Sequence, residues 1–298
     1  MRFFLIVSAL YLLGSGILSS VLIQYSKAYQ KKKEIYAEQL NYRERFLDPD
    51  EWLSNEEGNN KLAFAEKMAA QAAQYQSQSL GWSIALLILG FLYGIITYLF
   101  FRKEKLYIFL VLGFIMLALS CLPAGLMSPM LEIAAFERNL DLGNIPISAR
   151  VLGVKVDVQV SQRFEGDMYF YYQSKSVVEL ISLLFQQGNW VVGISILLFS
   201  ILFPISKITS TFILAFWPKM RQQKWMYFFV EKSGKWSMAD VFVVAVFLSF
   251  LAFSNMQVGI DTESNVLAGL YFFLAYCILS LLSSLWVSQL DIEKANGM

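Results

Sequence analysis

Six long apolar runs restrict this chain to folds that cross a membrane. A bilayer-spanning helix needs about 20 mostly apolar residues. The chain is 57% hydrophobic and only 16% charged, whereas soluble domains carry about 25% charged residues. We therefore predict an all-α membrane protein with six transmembrane helices and a small β-rich external domain. The predicted spans are Phe3–Ile23, Trp82–Phe101, Leu106–Met127, Trp190–Phe216, Trp236–Phe253 and Val266–Leu290.

Composition also argues against several kinds of function. The net charge is +1 and there are no histidines, so nothing favours nucleic acid, and the commonest metal ligand and general base are missing. The two cysteines, Cys121 and Cys277, lie in separate apolar runs, which favours buried or lipid-facing residues over a disulfide or metal pair. We expect no metal, no cofactor and no catalytic residues, and therefore no enzyme.

Loop charges predict the orientation. The links 102–105 and 217–235 are basic, whereas 255–265 contains no Lys or Arg. Short basic loops stay cytoplasmic, which places both termini inside. The basic run Lys31–Lys33 disagrees, because it follows the first span on the side predicted to be external. The first span, which ends without a clear cleavage site, is interpreted as a retained anchor rather than a signal peptide.

The predicted domains are an N-terminal two-span unit, 1–105, a four-span core, 106–290, and a cytoplasmic tail, 291–298. The first unit carries an external helical hairpin, 24–80, built from helices at Lys27–Phe46 and Lys61–Gln78. Two interpretations of the hairpin stay open: a stalk that docks a partner, or a solvated hairpin that packs on the protein's own external domain.

The core's external segment, 128–187, is predicted to be β-rich. Alternation in Ile147–Val160 and the aromatic run Met168–Tyr172 indicate strands of a small antiparallel sheet. A helix at Ser176–Phe185 leads into the fourth span. Glu132 and Glu137, which follow the third span, are interpreted as ordinary interfacial charges.

Two charged residues stand inside apolar runs. Lys207 lies deep in the fourth run and Asp240 one turn inside the fifth. A charge at the bilayer centre costs about 2.5–3.5 kcal/mol on insertion scales. Because the two charges are opposite and lie on consecutive spans, we predict that they pair inside the membrane.

Three further residues belong to the predicted intramembrane polar site or its surroundings. Pro204, which lacks an amide hydrogen, frees the carbonyl of Ser200 and is expected to kink the helix beside Lys207. Ser237 precedes Asp240 by three residues and shares its helix face, although it could equally be a helix N-cap. Ser280 in the last span has a similar depth to Lys207 but is a weak signal alone.

These patterns resemble the paraquat-inducible protein A family of bacterial inner-membrane proteins. The resemblance rests mainly on Gly-Lys-Trp-Ser-Met-Ala-Asp-Val-Phe at 234–242 and Phe-Pro-Ile-Ser-Lys at 203–207, and it covers roughly 106–290. It implies lipid movement between the inner and outer membranes together with a periplasmic MCE-domain protein. It also implies that Lys207, Ser237 and Asp240 are site residues, with Ser280 in place of a threonine.

The chain departs from that family in three ways. It has no cysteine-rich zinc ribbons, so no zinc is expected, it has one copy of the four-span unit rather than two, and its N-terminal hairpin is not part of the pattern. We expect an inner-membrane component of phospholipid transport. The alternatives are a proton-coupled small-solute carrier and a structural scaffold in which Lys207 and Asp240 only lock the helices together.

Overall fold

The structure is a computed structural model that describes residues 2–49, 55–101, 106–151, 154–216 and 261–296. The helices are α1 (Arg2–Gln39), α2 (Tyr42–Leu47), α3 (Asn55–Phe101), α4 (Leu106–Met127), α5 (Val177–Gln186), α6 (Trp190–Leu197), α7 (Phe203–Phe216) and α8 (Ala268–Asn296). The strands are β1 (Leu131–Arg138), β2 (Asp141–Val151), β3 (Val154–Arg163), β4 (Asp167–Lys175) and β5 (Asp261–Val266).

The described residues are mostly helical, and they include four helical stretches that are long and apolar enough to cross a membrane. These candidate spans are Ile6–Gln39, Asn60–Leu99, Leu110–Met127 and Trp190–Ser210. The apolar stretch of α8, Ala268–Ser283, is shorter, and the fifth predicted span, Trp236–Phe253, lies outside the described residues. The helical, multi-pass class is therefore confirmed, and the count of six spans stays a prediction.

A small antiparallel sheet covers one end of the helices. Its strand order is β4-β1-β5, while β2 and β3 pair as a separate ribbon. The predicted strand Met168–Tyr172 lies within β4, and Ile147–Val160 spans parts of β2 and β3. Sequence analysis missed β1 and β5. It treated 255–265 as a plain link and began the sixth span at Val266, whereas Val266 ends β5 and pairs with Leu131.

The N-terminal unit forms a helical hairpin that extends well beyond a bilayer. At 1.5 Å per residue, α1 is about 57 Å long and α3 about 70 Å. The first hairpin helix does not continue to Phe46 as predicted, because α1 ends at Gln39. A new helix, α2, then starts after Asn41, whose side-chain oxygen accepts a hydrogen bond from the amide of Arg43 (2.9 Å). Asparagine is a favoured N-cap because this bond satisfies one of the unpaired amides of the first turn.

The hairpin packs on the protein's own sheet, which is one of the two interpretations that the sequence left open. Ala37, Leu40 and Ala65 of the hairpin form one buried apolar cluster with sheet residues that include Phe136 and Tyr169. The amide of Tyr169 also donates to the carbonyl of Leu40 (2.8 Å). The hairpin and the sheet therefore form one packed body.

Inside the apolar region, α4 is the central helix. It packs against α8 along its length and also contacts α1, α3 and α7. Cys121 of α4 and Cys277 of α8 are buried in the same apolar cluster. Gly125 permits the close approach of the two helices, since a Cβ there would lie 2.7 Å from the backbone nitrogen of Phe273.

Buried hydroxyl groups join the N-terminal unit to α4. The Tyr11 hydroxyl of α1 is hydrogen-bonded to the Ser120 hydroxyl of α4 at 2.7 Å, and within the N-terminal unit the hydroxyls of Ser8 and Tyr93 are hydrogen-bonded at 2.8 Å. The rings of Tyr11 and Tyr93 stack with centroids 4.2 Å apart. Because hydrocarbon offers no hydrogen-bond partners, polar groups among membrane helices are satisfied by one another. The first two spans are therefore packed on the core and are not a loose anchor.

Candidate intramembrane site and a buried carboxylate

The helix that carries Lys207 changes its hydrogen-bonding pattern just before Pro204. After α6, residues Leu198–Leu202 form a π-helical segment, in which the amide of Phe203 donates to the carbonyl of Leu198. Pro204 is the second residue of α7 and is fully buried. π-Helical turns inside α-helices occur frequently at functional sites. The structure thus places an irregular turn at the site where sequence analysis predicts a kink, and the bend itself stays a prediction.

Lys207 faces the interior of the protein. Its exposed fraction is only 3%, and Ser200 and Pro204 on the same helical stretch are buried with it. The opposite side, which includes Leu202, Ile205 and Thr209, is exposed. The next residue, Ile208, joins the apolar cluster formed mainly by α4 and α8. An ammonium group is therefore held among the helices rather than facing lipid, where such groups mark polar pathways or partner charges.

Ser280 is the other predicted site residue within the described chain. It is 5% exposed and lies on the buried side of α8 with Tyr276 and Ser283. Both α7 and α8 pack against α4, so Lys207 and Ser280 belong to helices that share one neighbour. Ser237 and Asp240 lie outside the described residues, and the pairing of Asp240 with Lys207 therefore stays a prediction.

Sequence analysis misjudged one carboxylate. Glu132 on β1 is only 3% exposed, so its interpretation as an ordinary interfacial charge was wrong; Glu137 on the same strand is half-buried. The Tyr29 hydroxyl donates to Glu132 Oε2 (2.5 Å), and the Lys33 ammonium lies 3.8 Å from Oε1. Burial raises the pKa of Glu132 above its usual value, although the Tyr29 hydrogen bond and the Lys33 charge act against that rise.

Around Glu132, polar side chains of α1 bind the sheet and α5. The side-chain nitrogen Nε2 of Gln30 donates to the Ser174 carbonyl (2.7 Å) and to Glu179 Oε2 (2.9 Å). Glu34 accepts from the Lys175 ammonium (2.7 Å). The hairpin is thus fixed to the sheet by polar contacts as well as by apolar packing. One signal was visible in the sequence: Gln30 and Glu34, like Tyr29 and Lys33, are four residues apart and share a helix face.

These observations define the class of protein. It is a multi-pass helical membrane protein that buries a lysine among its helices and carries a sheet-and-hairpin body at one end. Comparison with known proteins adds a family resemblance. Residues 165–293 match the model of the family described as Paraquat-inducible protein A. The match confirms the predicted resemblance over these residues, which are less than half of the chain. A search of curated proteins and a search of solved structures gave no match.

The matched region contains every predicted site residue and leaves out the hairpin. Pro204, Lys207, Ser237, Asp240 and Ser280 all lie between residues 165 and 293. The first two spans, α4 and the strands β1, β2 and β3 precede it. The described network around Glu132 therefore joins matched residues, such as Ser174 and Glu179, to residues that precede the match.

Proposed function

We propose that this protein is a component of a phospholipid transport system in a bacterial inner membrane and acts with a periplasmic MCE-domain protein. In this proposal it is a transport component rather than an enzyme. The polar site around Lys207, with Ser237, Asp240 and Ser280, handles the lipid within the membrane. The sheet and the hairpin, which form one packed body, provide the surface on which the MCE-domain protein docks.

The observation that carries this proposal is the burial of Lys207 within the region that matches the family. Ser200, Pro204 and Lys207 share one buried face, and all three lie in residues 165–293. Burying an ammonium among membrane helices is costly, which argues for a specific role of that group. A lysine on an apolar helix with no family match would support the proposal far less.

Two roles suit a buried ammonium near a carboxylate. Lys207 could bind a lipid phosphate, with Asp240 holding the ammonium in place when no lipid is bound. Alternatively, Lys207 and Asp240 could exchange a proton that drives lipid movement, since such a pair titrates as a coupled unit. Both roles require Lys207 to remain chargeable, and a lipid phosphate adds the need for open space beside it.

The proposal is tested by isolating the full chain from its native host in a mild detergent and identifying what accompanies it. We expect an MCE-domain protein by mass spectrometry and phospholipid by thin-layer chromatography. The Lys207→Met variant should keep the protein partner, because docking is external, but should carry several-fold less phospholipid. Ile205→Met, on the exposed side of the same helix, is the matched control and should behave like the wild type.

Other outcomes favour the alternatives. A lone protein that transports a water-soluble solute into proteoliposomes when a proton gradient is imposed would support the small-solute carrier. A protein whose phospholipid content is unchanged in Lys207→Met while its unfolding temperature falls would leave only a structural role for that residue.

A further inference from the structure

A cavity of about 330 Å³ lies between the hairpin and the beginning of α8. Side chains of α1 and α3 form one wall, the first two turns of α8 form the other, and Pro129 lies between them. This volume falls within the range of about 300–1,000 Å³ that is typical of small-molecule sites. The cavity is separate from Lys207, which lies on α7 and does not line it.

The cavity is polar at one end and apolar at the other. Along α3 its lining begins with Gln76 and Ser79 and continues through Ile84 to Leu87. The eleven residue-to-residue steps from Gln76 to Leu87 cover about 17 Å of helix, close to half of the roughly 30 Å hydrocarbon layer. The polar end adjoins the sheet, because Tyr29, which also lines the cavity, donates its hydroxyl to Glu132.

The hydroxyl groups of the wall are already satisfied. Those of Ser26 and Ser79 are hydrogen-bonded to each other (2.8 Å), and that of Ser83 donates to the carbonyl of Ser79 (2.8 Å). An apolar occupant would therefore leave none of these three hydroxyls without a partner, so it would not incur the cost of burying an unsatisfied group. The flanking side chains Leu80, Ile84 and Tyr271 are more than half exposed in the protein alone, as expected of residues that contact lipid.

We propose that this cavity binds one acyl chain of a membrane phospholipid, with the ester end at Gln76 and Tyr29 and the chain running towards Leu87. The direction follows from the change in polarity along α3, which matches the change from headgroup to hydrocarbon across a leaflet. The site lies mostly outside the region that matches the family, because only the α8 wall and the end of β5 belong to it. It therefore adds a lipid contact that the family match does not provide.

The test uses the full chain in nanodiscs of phosphatidylethanolamine and phosphatidylglycerol that contain a trace of phospholipid with a photoreactive diazirine in one acyl chain. After irradiation, mass spectrometry maps the labelled residues. We expect label concentrated on 80–87 of α3 and 271–275 of α8. Even labelling over other exposed positions such as Leu13 and Phe91 would overturn the proposal.

Two cavity-filling variants make the test specific. Ala275→Trp and Ile84→Trp should each lower the labelling of the cavity about tenfold, the change that about 1.4 kcal/mol of lost binding produces. Ile278→Trp and Leu92→Trp are matched controls, because both residues are exposed on the same two helices but do not line the cavity. All four variants are compared only where they elute as the wild type does.

The outcome is independent of the proposed function. Unchanged labelling in both cavity-filling variants would contradict the acyl-chain site but would not contradict phospholipid transport through Lys207. Conversely, loss of labelling in those variants together with normal phospholipid content in Lys207→Met would retain the site and remove the proposed role of Lys207.

Discussion

Among single residues, Glu132 gives the most specific expectation for the pH dependence of stability, because it is a buried carboxyl group with a raised pKa. The folded protein therefore favours the protonated form more than the unfolded chain does. The stability that this group contributes is fully present below the usual carboxyl pKa of 4.5 and is lost as pH rises through the raised pKa of the folded state. Folded protein should thus bind more protons than unfolded protein in that interval.

We predict that Glu132→Gln removes this pH dependence. A neutral amide resembles the protonated acid and can still accept from Tyr29, so the variant should gain stability relative to the wild type as pH rises. Thermal unfolding of the detergent-purified protein across about pH 3–8, an interval that begins below the usual glutamate pKa and extends well above it, measures the difference. Glu137→Gln on the same strand is the control, and a parallel shift of both variants at every pH would contradict the argument.

Removing the carboxyl group that accepts the Tyr29 hydrogen bond should lower the stability of the folded protein. Glu132→Ala leaves the buried Tyr29 hydroxyl without its hydrogen-bond partner, which costs about 1–3 kcal/mol.

The sequence could not identify Glu132 as buried, because an acidic residue one turn beyond a membrane span is ordinarily solvated. Its burial depends on Tyr29 and Lys33, which lie about 100 residues earlier in the chain.

At the scale of elements, the helices were predictable and two of the strands were not. Long apolar runs and helix-forming composition are local signals, and they indicated α1, α3, α4 and the α5 helix that Ser176 caps. In contrast, β1 lacks alternation in its sequence and obtains its partners from far along the chain, since Leu131 pairs with both Lys175 and Val266. Such pairings are set by tertiary contacts rather than by local propensity.

The packing of α4 on α8 gives a prediction at this scale. Gly125→Ala places a Cβ 2.7 Å from the backbone nitrogen of Phe273 and 2.8 Å from its Cα, so the helices must separate. Forced overpacking typically costs about 1–3 kcal/mol. The loss should appear as a lower unfolding temperature in detergent, and an unchanged temperature would mean that the two helices are not in this contact.

Gly113→Ala is the matched control on the same helix. The nearest atom to a Cβ there is the Thr97 methyl carbon at 3.6 Å, an ordinary van der Waals contact. Because alanine is favoured over glycine in helices by up to about 1 kcal/mol, this variant should be as stable as the wild type or slightly more so. The two substitutions are chemically identical, so a difference between them isolates the effect of the α4–α8 approach.

In the molecule as a whole, the N-terminal unit is bound to the rest of the chain at two levels. Tyr11 and Ser120 connect the two parts within the apolar region, and Tyr29 and Glu132 connect them at the sheet. Sequence analysis placed Lys207 and Ser280 correctly in apolar helices, but it could not tell which helix neighbours each one. That arrangement depends on the central position of α4, which no local pattern encodes.

Substitutions in the predicted ion pair between Lys207 and Asp240 distinguish a functional role of these charges from a structural one. Removing one member of a buried pair strands the other charge and typically costs about 3–5 kcal/mol, whereas replacing both by apolar residues is often neutral or stabilising by about 1–4 kcal/mol. Lys207→Met and Asp240→Leu should therefore each lower the unfolding temperature, and the double variant should recover it. Recovery of stability without recovery of bound phospholipid would show that the charges act on lipid. Recovery of both would assign the pair to helix packing alone, and additive losses of stability would show that the two residues do not pair at all.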